Sequence, residues 1–296
     1  MGLDLQSFAE TLRVIDGAWG TQLQALGLPA GRCPELWNTE NPDAVESVAR
    51  SYVEAGSDVI LTNTFGGNRF VLQRHGAGDR TAELFEAGVA ISRSAAGDDV
   101  KVFASIGPTG VIVMMEEVPP EQLLAAFSEA AAAAGRGGAD AIVLETFNER
   151  AELLLALQAA KGACELPVVC SMTFASGPDK TATMMGDQPG DVAAAAAEAG
   201  ADAVGANCGV GPGNYVPVAE MLRAATSLPV WIKANAGLPQ VTPDGKTVFP
   251  MGPEEFASHV PALIAAGANF IGGCCGTTPE HVRAIRAAVD AAQGNR

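Results

Sequence analysis

Two adjacent cysteines, Cys274 and Cys275, lie between glycines in Gly272-Gly273-Cys274-Cys275-Gly276, and a third, Cys208, ends the run Gly205-Ala206-Asn207-Cys208. Thiolates are soft ligands, and three of them on one ion suit zinc better than magnesium or calcium, which take oxygen. Successive residues of a strand face opposite ways, so vicinal cysteines reach one ion only where the chain twists out of the strand, and flanking glycines allow that twist. Three cysteines fall one short of a closed structural zinc site, and an open fourth position is the mark of a catalytic ion. A thiol substrate entering there would be held as a thiolate nucleophile at neutral pH. Hydrolysis by metal-activated water is the competing chemistry, but it ordinarily uses nitrogen and oxygen ligands with a general base. The three histidines, His75, His259 and His281, fall in helical or loop sequence away from the cysteines. A third reading leaves the cysteines as buried space-fillers, or the vicinal pair as a redox element.

The remaining cysteines are Cys33 in a loop, Cys164 in a helix-to-strand connection and Cys170 inside a strand. They show no zinc-finger interval, and a chain of 296 residues needs no disulfide staples, so a reducing, cytoplasmic setting is expected. Eighteen basic against thirty-four acidic residues give a formal charge of −16, which repels phosphate backbones and anionic lipid surfaces. Neither nucleic acid nor membrane is an expected partner. The first residues lack a basic flank and a continuous apolar core, and no later segment has the apolar length of a membrane span.

The elements that must position the cysteines follow from a weak internal repeat. Ala55-Gly56-Ser57-Asp58, Gly137-Gly138-Ala139-Asp140, Ala199-Gly200-Ala201-Asp202 and Ala266-Gly267-Ala268-Asn269 each join a helix-ending glycine to a polar turn residue and then a short apolar strand. Four further apolar runs begin near residues 14, 101, 167 and 229. Helix starts fall between them, with proline at a first helical position in Asn41-Pro42, Gly252-Pro253 and Thr278-Pro279, and an alanine-rich stretch over 193–199 behind Asp191. Eight strand starts near 14, 58, 101, 140, 167, 202, 229 and 269 are 27 to 44 residues apart, room for a strand, a crossover helix and two loops. The expected fold class is α/β, a single (β/α)8 TIM-type barrel over residues 1–296 with its site at the C-terminal ends of the strands. An open doubly wound sheet is the alternative, but no glycine-rich dinucleotide or phosphate loop is present.

On such a barrel the residues ending each strand form one rim. Cys208 ends the sixth strand, Cys274 and Cys275 the eighth, Asp16 the first, Glu145 the fourth and Asn235 the seventh. Two carboxylates beside the metal would suit a substrate ammonium, and the N–H groups of the 17–21 turn a carboxylate; equally, Asp16 could cap its own turn and Glu145 pair with a nearby basic residue. Asn63, Asn207 and Asn235 could orient ligands or tie loops.

Six motifs in order, Asp16-Gly17-Ala18-Trp19-Gly20-Thr21, Thr62-Asn63-Thr64-Phe65-Gly66, Glu145-Thr146-Phe147, Asn207-Cys208, Asn235-Ala236-Gly237-Leu238-Pro239 and Gly273-Cys274-Cys275-Gly276-Thr277-Thr278-Pro279, resemble the zinc-dependent homocysteine S-methyltransferases. The likeness runs over nearly the whole chain and is greatest to the homocysteine-binding module of cobalamin-dependent methionine synthase. It implies zinc on Cys208, Cys274 and Cys275 as the catalytic set, homocysteine sulfur as fourth ligand, and methionine as product. It also implies substrate contacts at Asp16, Gly17, Ala18, Trp19, Thr64, Glu145 and Asn235, with the amino group near Asp16 and Glu145. The chain holds no Asp-x-His-x-x-Gly corrinoid-ligand motif, so the methyl donor is expected to be a separate methyl-corrinoid protein or a small onium compound such as betaine or S-methylmethionine. Trp19 is bulkier than the motif leads one to expect and would suit a cationic donor through its ring face. The alternative is a non-catalytic homocysteine- and zinc-binding subunit of a split methionine synthase.

Overall fold

Helices end at Gly56, Gly138, Gly200 and Gly267 with φ between +85° and +98°, the left-handed region where a Cβ is unwelcome. Two residues on, each joint turns a polar side chain to the first N–H groups of a neighbouring strand. Asp58 accepts from Val14 N–H at 2.7 Å, Asp140 from Val102 at 2.8 Å, Asp202 from Val168 at 2.7 Å and Asn269 from Val230 at 2.9 Å. Three of the four also take a cation from a helix: Arg286 on Asp58, Arg93 on Asp140 and Lys161 on Asp202. The sequence repeat is thus a set of clamps at the amino ends of alternate strands.

The computed structural model describes residues 2–242 and 247–294, so the expected span of 1–296 includes seven residues outside the description. Its strands are β1 (Arg13–Val14), β2 (Val59–Ile60), β3 (Lys101–Ile106), β4 (Ala141–Phe147), β5 (Val168–Met172), β6 (Ala203–Cys208), β7 (Val230–Ala234) and β8 (Phe270–Gly273). All pair in parallel in the order β1-β8-β7-β6-β5-β4-β3-β2. A bridge between Ile15 and Val59 closes the ring, with Asp58 N–H on Val14 O at 2.7 Å and Asp16 N–H on Val59 O at 3.1 Å. The expected (β/α)8 barrel is present, each strand beginning within about a residue of its sequence position. Proline opens the helices Pro42–Glu54, Pro253–Ala257 and Pro279–Gly294 as expected. The alanine-rich helix instead begins at Pro189, which leaves Asp191 inside its first turn. A small antiparallel hairpin, Gln240–Val241 with Thr247–Val248, was not legible beforehand. Among the described residues no helix is long and apolar enough to cross a membrane.

The barrel interior is a layer of buried apolar side chains: Ile15, Leu61, Phe103, Val143, Val169, Ala203, Trp231 and Phe270. Trp231 stacks on Phe103 at 5.9 Å and tilts against Phe270 at 5.4 Å, which seals the centre. Two residues further along each strand, on the same face, the layer becomes Gly17, Asn63, Ser105, Glu145, Ser171, Gly205, Lys233 and Gly272. That change from apolar to small and polar marks the floor of the site.

Candidate metal and substrate site

Cys208 closes β6 with φ +62°, in the left-handed region that a non-glycine residue rarely adopts, and Gly209 follows at +69°. After β8 the vicinal pair is fixed through its backbone. Cys274 N–H donates to Ala234 O at 2.7 Å, Ala236 N–H to Cys275 O at 3.0 Å, Asn235 N–H to Cys208 O at 3.1 Å, and Thr277 Oγ1 to Cys274 O at 2.7 Å. The departure from the strand needs Gly273, because a Cβ there would sit 2.3 Å from Thr277 Oγ1.

The three Sγ atoms lie within 4.8 Å of one another, and Cys208 and Cys274 are 3.2 Å apart. Sulfurs on one tetrahedral zinc at about 2.3 Å would stand roughly 3.8 Å from each other, inside that range. Asn235 offers a further donor: its Nδ2 is spent on Gly209 O at 2.8 Å, while its buried Oδ1 has no hydrogen-bond partner among the described residues. The donor set fits a soft divalent cation with one position left over. Hydrogen bonding to its neighbours and burial hold the Cys208 thiol well above its ordinary value, whereas Cys275 is lowered because Cys208 and Cys274 donate to it. Cys274 is likewise pushed up to about 12, so the metal-free cluster favours one thiolate, on Cys275, and a cation would be needed to hold all three thiols ionised.

The two carboxylates are held differently from one another. Asp16 is fully buried and both oxygens are engaged within the protein: Oδ1 takes Lys233 Nζ at 2.5 Å, and Oδ2 takes Trp19 Nε1 and Leu61 N–H at 2.7 Å each. A substrate ammonium at Asp16 would have to displace Lys233. Trp19, expected to offer its ring face to a cation, is pinned by its indole N–H to Asp16. Glu145 takes Ser105 Oγ on Oε1 at 2.5 Å, its one side-chain hydrogen bond to a described residue, which leaves Oε2 open. Burial pushes the Glu145 carboxyl up to about 7 against the attraction of Lys233. Burial works to strip the Lys233 proton, but Asp16, Glu145 and Cys274 outweigh it and hold the ammonium above its ordinary value.

Several residues expected to contact substrate are tied into this network. Thr64 is buried, bonds Thr62 Oγ1 at 2.6 Å and donates to Ser105 O at 2.7 Å, steering the serine that meets Glu145. Ala18 N–H is spent on Thr277 Oγ1 at 3.1 Å and its carbonyl accepts Tyr52 OH at 2.7 Å. Gly17 is required there, since a Cβ would come within 2.7 Å of Tyr52 OH. Asn207 braces the rim, accepting from Thr146 N–H at 2.8 Å and Ser171 Oγ at 2.7 Å and donating to Thr146 Oγ1 at 2.7 Å. Asn63 ties loops through Pro34 O and Asn38 Oδ1. His281 accepts from Thr278 N–H on Nδ1 and meets Met251 O through Nε2, so it braces the start of the last helix. Sequence reasoning gave Lys233, Ser105 and Ser171 no role; their shared signal is inward parity, two residues beyond Trp231, Phe103 and Val169.

The chain is 34% identical to methionine synthases of Mycobacterium tuberculosis and Mycobacterium leprae over 96% of its length, and spans about a quarter (25%) of theirs. Among solved structures it resembles the metallated form of the homocysteine methyltransferase MmuM from Escherichia coli, with TM-score 0.78 and 23% identity over 96% of this chain and 99% of that one. A methyltransferase from Methanosarcina mazei shares the fold more loosely, with TM-score 0.60 and 14% identity over 98% and 97% of the two chains. The family model for homocysteine S-methyltransferase matches residues 13–289, and the chain belongs to that family.

Proposed function

We propose that the barrel binds homocysteine as a thiolate beside a zinc ion held by Cys208, Cys274 and Cys275, and methylates it to methionine. The observation that carries this is the convergence of three Sγ atoms within 4.8 Å at the mouth of a barrel of this family, above a floor bearing Glu145 and Lys233. Zinc at that position would favour the thiolate over the thiol near neutral pH. The chain's own residues supply the rest. The open Oε2 of Glu145 receives the substrate ammonium, with Ser105 holding the carboxylate in place. Asn235 Oδ1, buried and without a partner among the described residues, would be available as an oxygen ligand, and Trp19 fixes Asp16 through its indole N–H beside Gly17 and Ala18. In the transfer, the sulfur lone pair attacks the donor methyl carbon and the donor leaves with the bonding electrons. The proton lost from the thiol on binding goes to solvent.

The donor is a methyl-corrinoid protein or a small onium compound such as betaine or S-methylmethionine. Six free cysteines suit a cytoplasmic, reducing setting. Zinc-loaded protein incubated with homocysteine and each donor in turn should form methionine with one of them, read by mass spectrometry. Homocysteine binding without methionine from any donor would reduce the assignment to binding alone.

A further inference from the structure

Lys233 is the one cation on the floor of the site among the described residues, and its side chain is 2% exposed. A buried ion pair is a poor stabiliser beside apolar side chains of the same volume, and Trp231, one pleat below, shows that this strand can fill its face with carbon. Asp16 Oδ2 has two donors of its own, so the lysine serves Oδ1 alone. The ammonium itself has three donors. One meets Asp16 Oδ1 at 2.5 Å, a second reaches Gly17 O at a long 3.4 Å, and the third meets no described residue. Glu145, across the barrel floor, likewise keeps Oε2 free of protein hydrogen bonds. A cation and an anion on one floor, each with an unused hydrogen-bonding position, complement a group that carries both charges on one carbon.

We propose that Lys233 is a specificity-determining residue for the acceptor, its ammonium taking the substrate carboxylate while Glu145 takes the amino group. This rests on the thiol-binding reading above and deepens it. Lys233 occupies Asp16, so the acceptor's amino group is read by Glu145 alone, and an acceptor lacking a carboxylate loses its second anchor. Asp16 acts through Lys233 as a positioning residue.

The test is equilibrium binding of four thiols to the zinc-loaded full chain: homocysteine, its deaminated analogue, its decarboxylated analogue and propanethiol. Lys233→Met should weaken homocysteine and the deaminated acid by about ten- to a hundredfold, the cost of one charge-assisted hydrogen bond, and leave propanethiol within about twofold. The Asp16→Asn/Lys233→Met double variant removes the Asp16 charge together with its partner, so it gives the same comparison should the single variant fail to fold. Lys233→Arg should recover part of the loss. Equal losses for all four thiols would make Lys233 scaffold only, and an unchanged affinity for the two carboxylates would likewise overturn the assignment. Failure of the unmodified protein to bind any thiol, propanethiol included, would remove the thiol-binding reading and this inference with it. Binding of propanethiol alone would overturn only the inference.

Discussion

Glu145→Gln separates function from stability in opposite directions. The substitution keeps the shape and lets the side-chain carbonyl accept from Ser105 Oγ as Oε1 does now at 2.5 Å, but it removes the charge. In the metal-free fold burial raises this carboxyl from 4.5 to about 7. At roughly 1.36 kcal/mol per unit, a rise of that size is on the order of 3 kcal/mol, spent in holding the ionised group. The sign follows from linkage: with the folded value above the unfolded one, the native state binds the extra proton, and stability falls as pH rises from 4.5 through 7. Metal-free Glu145→Gln should therefore match the unmodified protein near pH 4.5 and exceed it by about 3 kcal/mol above pH 8, measured by urea denaturation across that range. Homocysteine binding to the zinc-loaded protein should move the other way, weakening by about ten- to a hundredfold at pH 8 as one charge-assisted hydrogen bond is lost. The gap should narrow as the native carboxyl itself takes up a proton. A variant less stable than its parent at pH 8, or one that binds homocysteine unchanged, would refute the placement of an open, buried carboxylate beneath the substrate.

Serine at Cys208, Cys274 or Cys275 should each lower zinc affinity by at least about a hundredfold, since a thiolate ligand is replaced by a neutral hydroxyl; competition with a chromophoric chelator measures it. Gly273→Ala should cost about 1–3 kcal/mol in denaturation and weaken zinc as well, because the new Cβ meets Thr277 Oγ1 at 2.3 Å and displaces the cysteine pair. Asp202→Ala should lose about 1–3 kcal/mol, since the buried N–H of Val168 loses its acceptor at 2.7 Å, whereas Lys161→Ala, removing only the exposed partner, should cost under about 1 kcal/mol.

The barrel was legible because its repeat is physical: a helix-ending glycine in the left-handed region, then an Asp or Asn whose side chain clamps the neighbouring strand, recurs at Asp58, Asp140, Asp202 and Asn269. The cysteines were legible because two vicinal thiols between glycines have few structural uses. The carboxylate floor was only half legible. Asp16 and Glu145 stood out as acidic strand ends, but the sequence Val-Trp-Ile-Lys-Ala presents Lys233 as an ordinary polar end to an apolar run. Its inward direction depends on the register that places it two residues past Trp231. Thr64 and Ala18 find Ser105 and Thr277, partners distant in sequence, so which of their polar groups remain free is a property of the closed barrel and not of any local motif.

Cobalt(II) in place of zinc reports its own ligands through visible absorption, and thiolate coordination gives it intense charge-transfer bands. Cobalt-loaded protein should show the spectrum of a tetrahedral three-thiolate site, and homocysteine should add thiolate intensity with release of a proton at neutral pH. The change should be absent in a Cys208→Ser protein that remains folded. A three-thiolate spectrum that homocysteine leaves untouched would contradict the claim that this cluster receives a thiol substrate.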